Sequence, residues 1–116
     1  MGMHHYTDRA GYNGIAATVD WCFKALQPPG DHPCGAYFTP LGPGTKNLAL
    51  RLRIPRAKLG YVFVFRGAAD MMRLRGQRGD FIVYSPDDYL VEGARQIDNG
   101  ERLTVEARQS FESEKT

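Results

Sequence analysis

Two stretches of sequence, Gly-Tyr-Val-Phe-Val-Phe at residues 60–65 and Phe-Ile-Val-Tyr at residues 81–84, decide the fold class of this chain. Both are dense in aromatic and β-branched residues and are bounded by glycine or proline, a composition typical of strands. We expect them to form the core of a sheet. Residues 36–39 and 89–91 predict two further strands, the second of them at an edge.

Capping residues predict two short helices around that core. Thr7 or Asp8 suits the start of a helix that extends through residues 16 and 17, because both side chains accept hydrogen bonds from free backbone N–H groups. Thr45 is expected to cap a second helix over residues 46–52, which must end before the next proline.

The remaining segments complete an α+β domain. Residues 21–26 form a compact apolar segment, and Asp-Asn-Gly at 98–100 suits a tight hairpin turn that leads into an edge strand over 103–107. Residues 110–116 look like a frayed tail. Early helices followed by strands, without a βαβ rhythm, predict one domain over 1–116 with a mostly antiparallel sheet rather than a doubly wound fold.

Composition excludes several classes of protein. No apolar run is long enough to cross a bilayer, and the first eleven residues lack the apolar core of a secretion signal, so we expect a cytoplasmic chain with no membrane partner. Cys22 and Cys34 are then expected to be reduced thiols. His32 stands alone beside Cys34, so no metal site is expected.

The positive charge is concentrated in the middle of the chain. Residues 51–79 carry eight basic residues against one acidic residue, while the whole chain has a net charge of +2. Such a segment suits a diphosphate or a nucleic-acid backbone, and it equally suits a solvated surface. We call these residues the basic segment: Arg51, Arg53, Arg56, Lys58, Arg66, Arg73, Arg75 and Arg78.

Three short motifs occur in order along the chain. His5-Tyr6-Thr7 lies at the predicted start of the domain and precedes a helix. The run 35–39, Gly-Ala-Tyr-Phe-Thr, lies on a predicted strand and is followed by the second helix. The run 80–84, Asp-Phe-Ile-Val-Tyr, opens with an acid and continues as a strand.

These three motifs resemble the core motifs of the ADP-ribosyltransferase superfamily, which includes diphtheria-type toxins and poly(ADP-ribose) polymerases. The aspartate that opens the third motif resembles that of a toxin-related subgroup of the superfamily, which is known for a His-Tyr-Asp signature. The resemblance spans Met3 to about Val91. It implies a split, mostly antiparallel sheet with short helices and a cleft that binds NAD as a substrate, without a metal.

The resemblance also implies the roles of single residues. Asp80 would stabilise the positive charge that develops on the nicotinamide ribose, Tyr37 would lie against the nicotinamide ring, and His5 would bind a ribose hydroxyl. The backbone after His5 would hold the carboxamide, and an arginine at 51, 53 or 56 would reach the diphosphate. The implied NAD-binding set is His5, Tyr6, Thr7, Gly35, Ala36, Tyr37, Thr45 and Asn47.

Some residues depart from the family pattern. The helix after the second motif lacks the second tyrosine of the polymerases, and Asp80 is one methylene shorter than their glutamate. Arg78 stands where arginine-modifying relatives have an acid, so arginine is not the expected acceptor. His4 is an alternative candidate for the role of His5. Tyr37 also fits a purely structural role as a half-buried strand tyrosine.

Two functions follow from the sequence. The first is an NAD-dependent ADP-ribosyltransferase or NAD glycohydrolase that acts in its host or is delivered as a toxin, with a protein or nucleic-acid acceptor and, for a toxin, a cognate inhibitor protein. The alternative is a non-catalytic module that binds nucleotides or nucleic acid through the basic segment.

Overall fold

The computed structural model of the chain describes residues 2–26, 33–67, 71–73 and 82–115, with the backbone alone at 72–73 and 111–115. These ranges form a compact α+β domain in which all the paired strands run antiparallel. The strands are β1 Gly2–Thr7, β2 Trp21–Phe23, β3 Ala36–Phe38, β4 Tyr61–Arg66, β5 Met72–Arg73, β6 Val83–Ser85, β7 Tyr89–Val91 and β8 Gln96–Glu101. The helices are α1 Arg9–Ala16, α2 Leu48–Leu52 and α3 Arg102–Lys115, with 3₁₀ turns at Arg56–Leu59 and Gly93–Arg95.

Strand β4 is the centre of the first sheet, which has the order β1-β4-β8. A second sheet has the order β3-β6-β5, and β2 pairs with β7. The first two sheets are joined where β1 meets the end of β3, through a bridge between His4 and Thr39. The described part of the fold is therefore built from strands that are far apart in sequence.

The run at 60–65 is continuously apolar because β4 is covered on both faces. Phe63 and Phe65 lie in an aromatic core, whose other buried members are Trp21, Phe23, Ala36, Phe38, Tyr89 and Val91. Val62 and Val64 face the other way and pack on Val105 of α3. The prediction that this stretch forms the sheet core is confirmed.

The predicted first helix is confirmed together with one of its two possible caps. Asp8 is the N-cap of α1, and its Oδ1 accepts a hydrogen bond from the backbone N–H of Gly11 at 2.9 Å. Gly11 weakens the helix, but a Cβ at this position would collide with the Thr7 hydroxyl oxygen. Close packing of α1 on the end of β1 accounts for this glycine.

Two predictions for the C-terminal part are wrong. Residues 98–100 do not turn, because Asp98, Asn99 and Gly100 pair in register with Val64, Phe63 and Val62 as part of β8. Residues 103–107 belong to α3 and not to an edge strand, since Val105 packs onto the face of β4. The helix runs to Lys115, through the segment expected to be frayed.

The second helix is shorter than the sequence predicts. It starts at Leu48, and its N-cap is Asn47 in the left-handed region at φ 58°, not Thr45. Leu48 and Leu52 anchor it in a second apolar cluster, with Leu59, Ile82 and Tyr84. The backbone turn at Asn47 directs these leucines into the cluster and leaves Thr45 outside the helix.

Candidate functional site

The first and second motifs meet where β1 touches β3. The His4 N–H donates to the Thr39 carbonyl at 2.8 Å, and the Thr39 N–H donates back to the His4 carbonyl at 2.9 Å. The pairing does not continue to Tyr6 and Tyr37, the next positions in that register. The two strands thus separate immediately after a single bridge.

The His5 imidazole lies at this point of separation. Its Nδ1 donates to the carbonyl oxygen of Tyr37 at 3.0 Å, so the neutral ring carries its proton on Nδ1 and a lone pair on Nε2. The ring centroid lies 4.7 Å from that of Phe23 and 5.8 Å from that of Phe38. Burial among these rings lowers the pKa of His5, and the hydrogen bond to Tyr37 opposes this shift only in part.

Tyr6 presents its backbone to the gap between the strands. Because backbone groups alternate along a strand and those of His4 point to Thr39, the N–H of Tyr6 also points towards β3. Its side chain is fixed elsewhere, since the hydroxyl donates to the Leu41 carbonyl at 2.8 Å. Burial raises the pKa of this phenol well above its ordinary value, an effect that nearby Glu106 reinforces and Arg102 opposes.

Tyr37 places its ring on the opposite face of β3 from His5. The ring stacks on Tyr84 of β6 at a centroid distance of 5.4 Å, and its hydroxyl donates to the Pro33 carbonyl. The His5 ring instead contacts Phe38, which faces the aromatic core. The structure therefore joins His5 to the backbone of Tyr37 and does not bring their rings together.

Local packing explains three other residues of the predicted NAD-binding set. A Cβ on Gly35 would lie 2.6 Å from the Ser85 carbonyl oxygen, so β3 and β6 approach closely only with glycine here. Ala36 is 2% exposed in the aromatic core, and Thr7 is 9% exposed at the end of β1. Their side chains are committed to the interior.

The third motif is described in part. The predicted catalytic acid, Asp80, and its neighbour Phe81 lie outside the described residues. Ile82 is buried in the second apolar cluster, and β6 begins at Val83, two residues later than the predicted strand. Strand β6 pairs with β3, with Tyr84 opposite Tyr37.

A cavity of about 520 Å³ adjoins the second apolar cluster. It contains two residues of the predicted NAD-binding set, Thr45 and Asn47, and one arginine of the basic segment, Arg56. Arg102 also borders it, a residue that the sequence analysis missed because it was assigned to a hairpin instead of a helix start. The lining is completed by Leu48, Ala49, Leu50 and Leu59.

The other cations of the basic segment differ in their surroundings. Lys58 is paired with Asp8, with Nζ and Oδ2 2.6 Å apart. Arg51, Arg53 and Arg66 are exposed. Arg75 and Arg78 lie outside the described residues, and at Arg73 the structure describes the backbone alone.

No protein family, curated protein or solved structure matches the chain at a significant level. Within the described ranges, no helix is both long and apolar enough to span a bilayer.

Proposed function

We propose that this domain cleaves the bond between nicotinamide and ribose in NAD and passes the ADP-ribosyl group to a macromolecule or to water. The observation that carries the proposal is the arrangement of β1, β3 and β6. Strands β1 and β3 carry most of the first two motifs, and β6 carries the last two residues of the third. Strand β3 pairs with β6 and meets β1 at one bridge, although β1 and β6 are about 80 residues apart in sequence.

The gap after the His4–Thr39 bridge suits a flat amide. A carboxamide offers one acceptor and two donors, and the unpaired strand edge at Tyr6 offers complementary backbone groups. His5 keeps the edge open, because its Nδ1 takes the Tyr37 carbonyl that strand pairing would otherwise use. We assign the nicotinamide carboxamide to this edge.

His5 then has one acceptor left for the substrate. Since Nδ1 is the donor to Tyr37, Nε2 is an acceptor, and a ribose hydroxyl is a suitable donor to it. Nδ1 makes the one hydrogen bond assigned to His5 within the described residues, so we assign the substrate hydroxyl to Nε2. Burial keeps the ring neutral, which preserves this lone pair at neutral pH.

The reaction needs a carboxylate near the anomeric carbon. The bond to nicotinamide breaks with its electron pair going to the pyridine nitrogen, which leaves an oxocarbenium-like ribose. Water or an acceptor hydroxyl or amine attacks that carbon and loses a proton. We assign charge stabilisation to Asp80, which precedes β6 by three residues in the sequence. We assign a contact with the nicotinamide ring to Tyr37, whose strand β3 pairs with β6.

Nicotinamide release tests the proposal directly. The purified chain is incubated with NAD, with and without cell lysate, and free nicotinamide is followed by chromatography. We expect release from the unaltered chain and a loss of about 100-fold or more in Asp80→Asn, the usual effect of removing an electrostatic stabiliser. Asp87→Asn, an exposed acid after the same strand, is the matched control and should keep its activity.

Two results would count against it. Full turnover in Asp80→Asn would show that the third motif is misassigned and would direct attention to Asp87 and Glu92. Absence of nicotinamide release from the unaltered chain under both conditions would reject the enzyme.

A second candidate is a non-catalytic nucleic-acid module, favoured by the exposure of Arg51, Arg53 and Arg66. Binding would then weaken steeply with salt, and Arg73→Glu with Arg75→Glu would flatten the slope by roughly one unit per lost phosphate contact. An NAD enzyme should hydrolyse NAD equally well with that double reversal. The same variant therefore separates the two functions.

A further inference from the structure

The cavity beside α2 brings two cations to one lining. Arg56 comes from the 3₁₀ turn after α2, and Arg102 is the first residue of α3. The two residues are 46 positions apart in sequence, so their meeting is a product of the fold. Two like charges at one cavity repel each other, and an anion bound between them would offset this repulsion.

Arg102 is held rigidly. Its Nε donates to the Leu59 carbonyl at 2.9 Å, and its Nη1 donates to the Pro43 carbonyl at 3.3 Å. A guanidinium has five N–H groups, so three remain for other acceptors, and they start from a fixed orientation. Arginine fixed in this way loses little entropy when it binds a phosphate oxygen.

Within the described part of the chain, neither Arg56 nor Arg102 forms an ion pair with a carboxylate. Other surface cations do, since Lys58 is paired with Asp8 at 2.6 Å and Arg108 with Asp98 at 2.7 Å. Glu106, one turn after Arg102 on α3, acts on the pKa of Tyr6 in opposition to Arg102, but it forms no ion pair with either arginine within the described residues.

Neutral polar groups accompany the two arginines. Asn47 precedes α2 without capping it through its side chain, and it is one of the residues that line the cavity. The Thr45 hydroxyl makes no hydrogen bond within the described ranges, while its backbone N–H is used by the Gly42 carbonyl at 3.1 Å. An amide and a hydroxyl are suitable partners for sugar hydroxyls.

The remaining lining is apolar. Leu48 and Leu59 are 4% exposed and form a fixed floor, whereas Leu50 is 76% exposed at the rim. A flat base buries apolar surface on such a lining. At about 520 Å³, the cavity lies within the range of pockets that hold small organic ligands and exceeds what a single inorganic anion needs.

We propose that this cavity binds a nucleoside diphosphate, with Arg56 and Arg102 on the phosphates, Thr45 and Asn47 at the sugar, and the leucines against the base. A free nucleotide and the ADP half of a dinucleotide share this chemistry. The inference does not require the proposed NAD reaction, because it concerns binding and because the cavity lining includes none of His5, Tyr6 and Tyr37.

Calorimetric titration of the purified chain with ADP, adenosine and pyrophosphate tests the site. We expect ADP to bind more tightly than either of its parts, and Arg56→Glu to weaken ADP at least 10-fold, because a repulsive charge replaces a phosphate contact. Arg9→Glu makes the same charge change on exposed α1 and should alter ADP affinity less than 2-fold. Arg102→Lys keeps the charge without the anchored fork and should also weaken ADP, with folding checked by circular dichroism.

Equal effects of Arg56→Glu and Arg9→Glu, or an affinity for ADP no greater than that for adenosine, would overturn the site. ADP that binds and inhibits nicotinamide release identifies the occupant as the ADP half of NAD, and ADP that binds without inhibiting identifies a separate nucleotide. Nicotinamide release from a chain that does not bind ADP would reject this inference and leave the proposed reaction standing.

Discussion

The Nδ1 of His5 lies 3.0 Å from the carbonyl oxygen of Tyr37, which is the acceptor that the Tyr6 N–H would use if β1 and β3 continued to pair. A side chain thus ends the ladder between these strands and leaves a backbone edge available. The first prediction tests this relationship.

His5→Phe keeps an aromatic ring among Phe23, Phe38 and Phe63 and removes the donor to Tyr37. We expect the free energy of unfolding to fall by about 1–3 kcal/mol, because the part-buried hydrogen bond from His5 to the Tyr37 carbonyl is lost. Nicotinamide release should fall as well, because Nε2 is lost. Urea denaturation and the nicotinamide assay measure the two effects, and an unchanged urea midpoint would show that the hydrogen bond does not hold the gap.

Stability should fall in mild acid because burial lowers the pKa of both His4 and His5. Below about pH 6.5 the unfolded chain binds protons that the folded chain excludes, so the free energy of unfolding falls as the pH drops. The steepest expected slope is about 1.4 kcal/mol per pH unit for each histidine. Urea curves at pH 7.5, 6.0 and 5.0 measure it.

The carboxylates titrate in a different window. Hydrogen bonds to Lys58 and Ala25 lower the pKa of Asp8 and Asp88 respectively, so their contributions to stability are lost at more acidic pH.

His5→Phe provides the control for the pH range in which the histidines titrate, and its stability should fall less steeply between pH 7 and 5. The same slope in both proteins would exclude His5 as a source of the acid sensitivity.

Gly35→Ala should destabilise the domain, since the new Cβ would lie 2.6 Å from the Ser85 carbonyl and 2.9 Å from Tyr84 Cδ2. Overpacking of this kind costs about 1–3 kcal/mol. Gly14→Ala in α1 is the matched control: a Cβ there meets nothing within 4 Å, and alanine should stabilise the helix by up to about 1 kcal/mol. Thermal melts of the two variants should shift in opposite directions, and shifts in the same direction would contradict the packing argument.

Tyr37→Ala should weaken NAD binding more than Tyr37→Phe does. Phenylalanine loses the hydrogen bond to Pro33 but keeps the ring stacked on Tyr84, whereas alanine loses both. Titration of NAD into each variant at a temperature where both are folded measures the difference. Equal losses would assign the contact to the hydroxyl and not to the ring.

The sequence predicts secondary structure correctly where the residue types of a short segment strongly favour one conformation. The aromatic and β-branched run at 60–65 predicts a strand and forms β4, and Asp8, one of the two predicted caps, caps α1. The prediction for 98–100 was wrong because Asp-Asn-Gly favours a turn only when its flanking strands pair with each other, and here the whole segment pairs with β4. Sequence patterns do not contain that long-range choice of partner.

The site shows the same division. The three motifs indicate which segments would form the site, but the face on which each ring lies depends on the register of the strands. Tyr37 and Phe38 are neighbours on β3, so their side chains lie on opposite faces of the sheet. The Tyr37 ring therefore contacts Tyr84, while the His5 ring contacts Phe38. Arg102 lines the cavity as the first residue of α3, a helix that includes residues 103–107, for which the sequence predicts an edge strand.

Strand β4 has β1 on one side and β8 on the other, so its two neighbours come from opposite ends of the described chain. During synthesis, the segment Tyr61–Arg66 is complete before residues 96–101 exist, and its second edge stays open until they emerge. An apolar strand with an open edge invites pairing with other chains. A truncation before β8 should therefore aggregate rather than persist as a smaller folded unit. The domain should fold only after β8 has been synthesised.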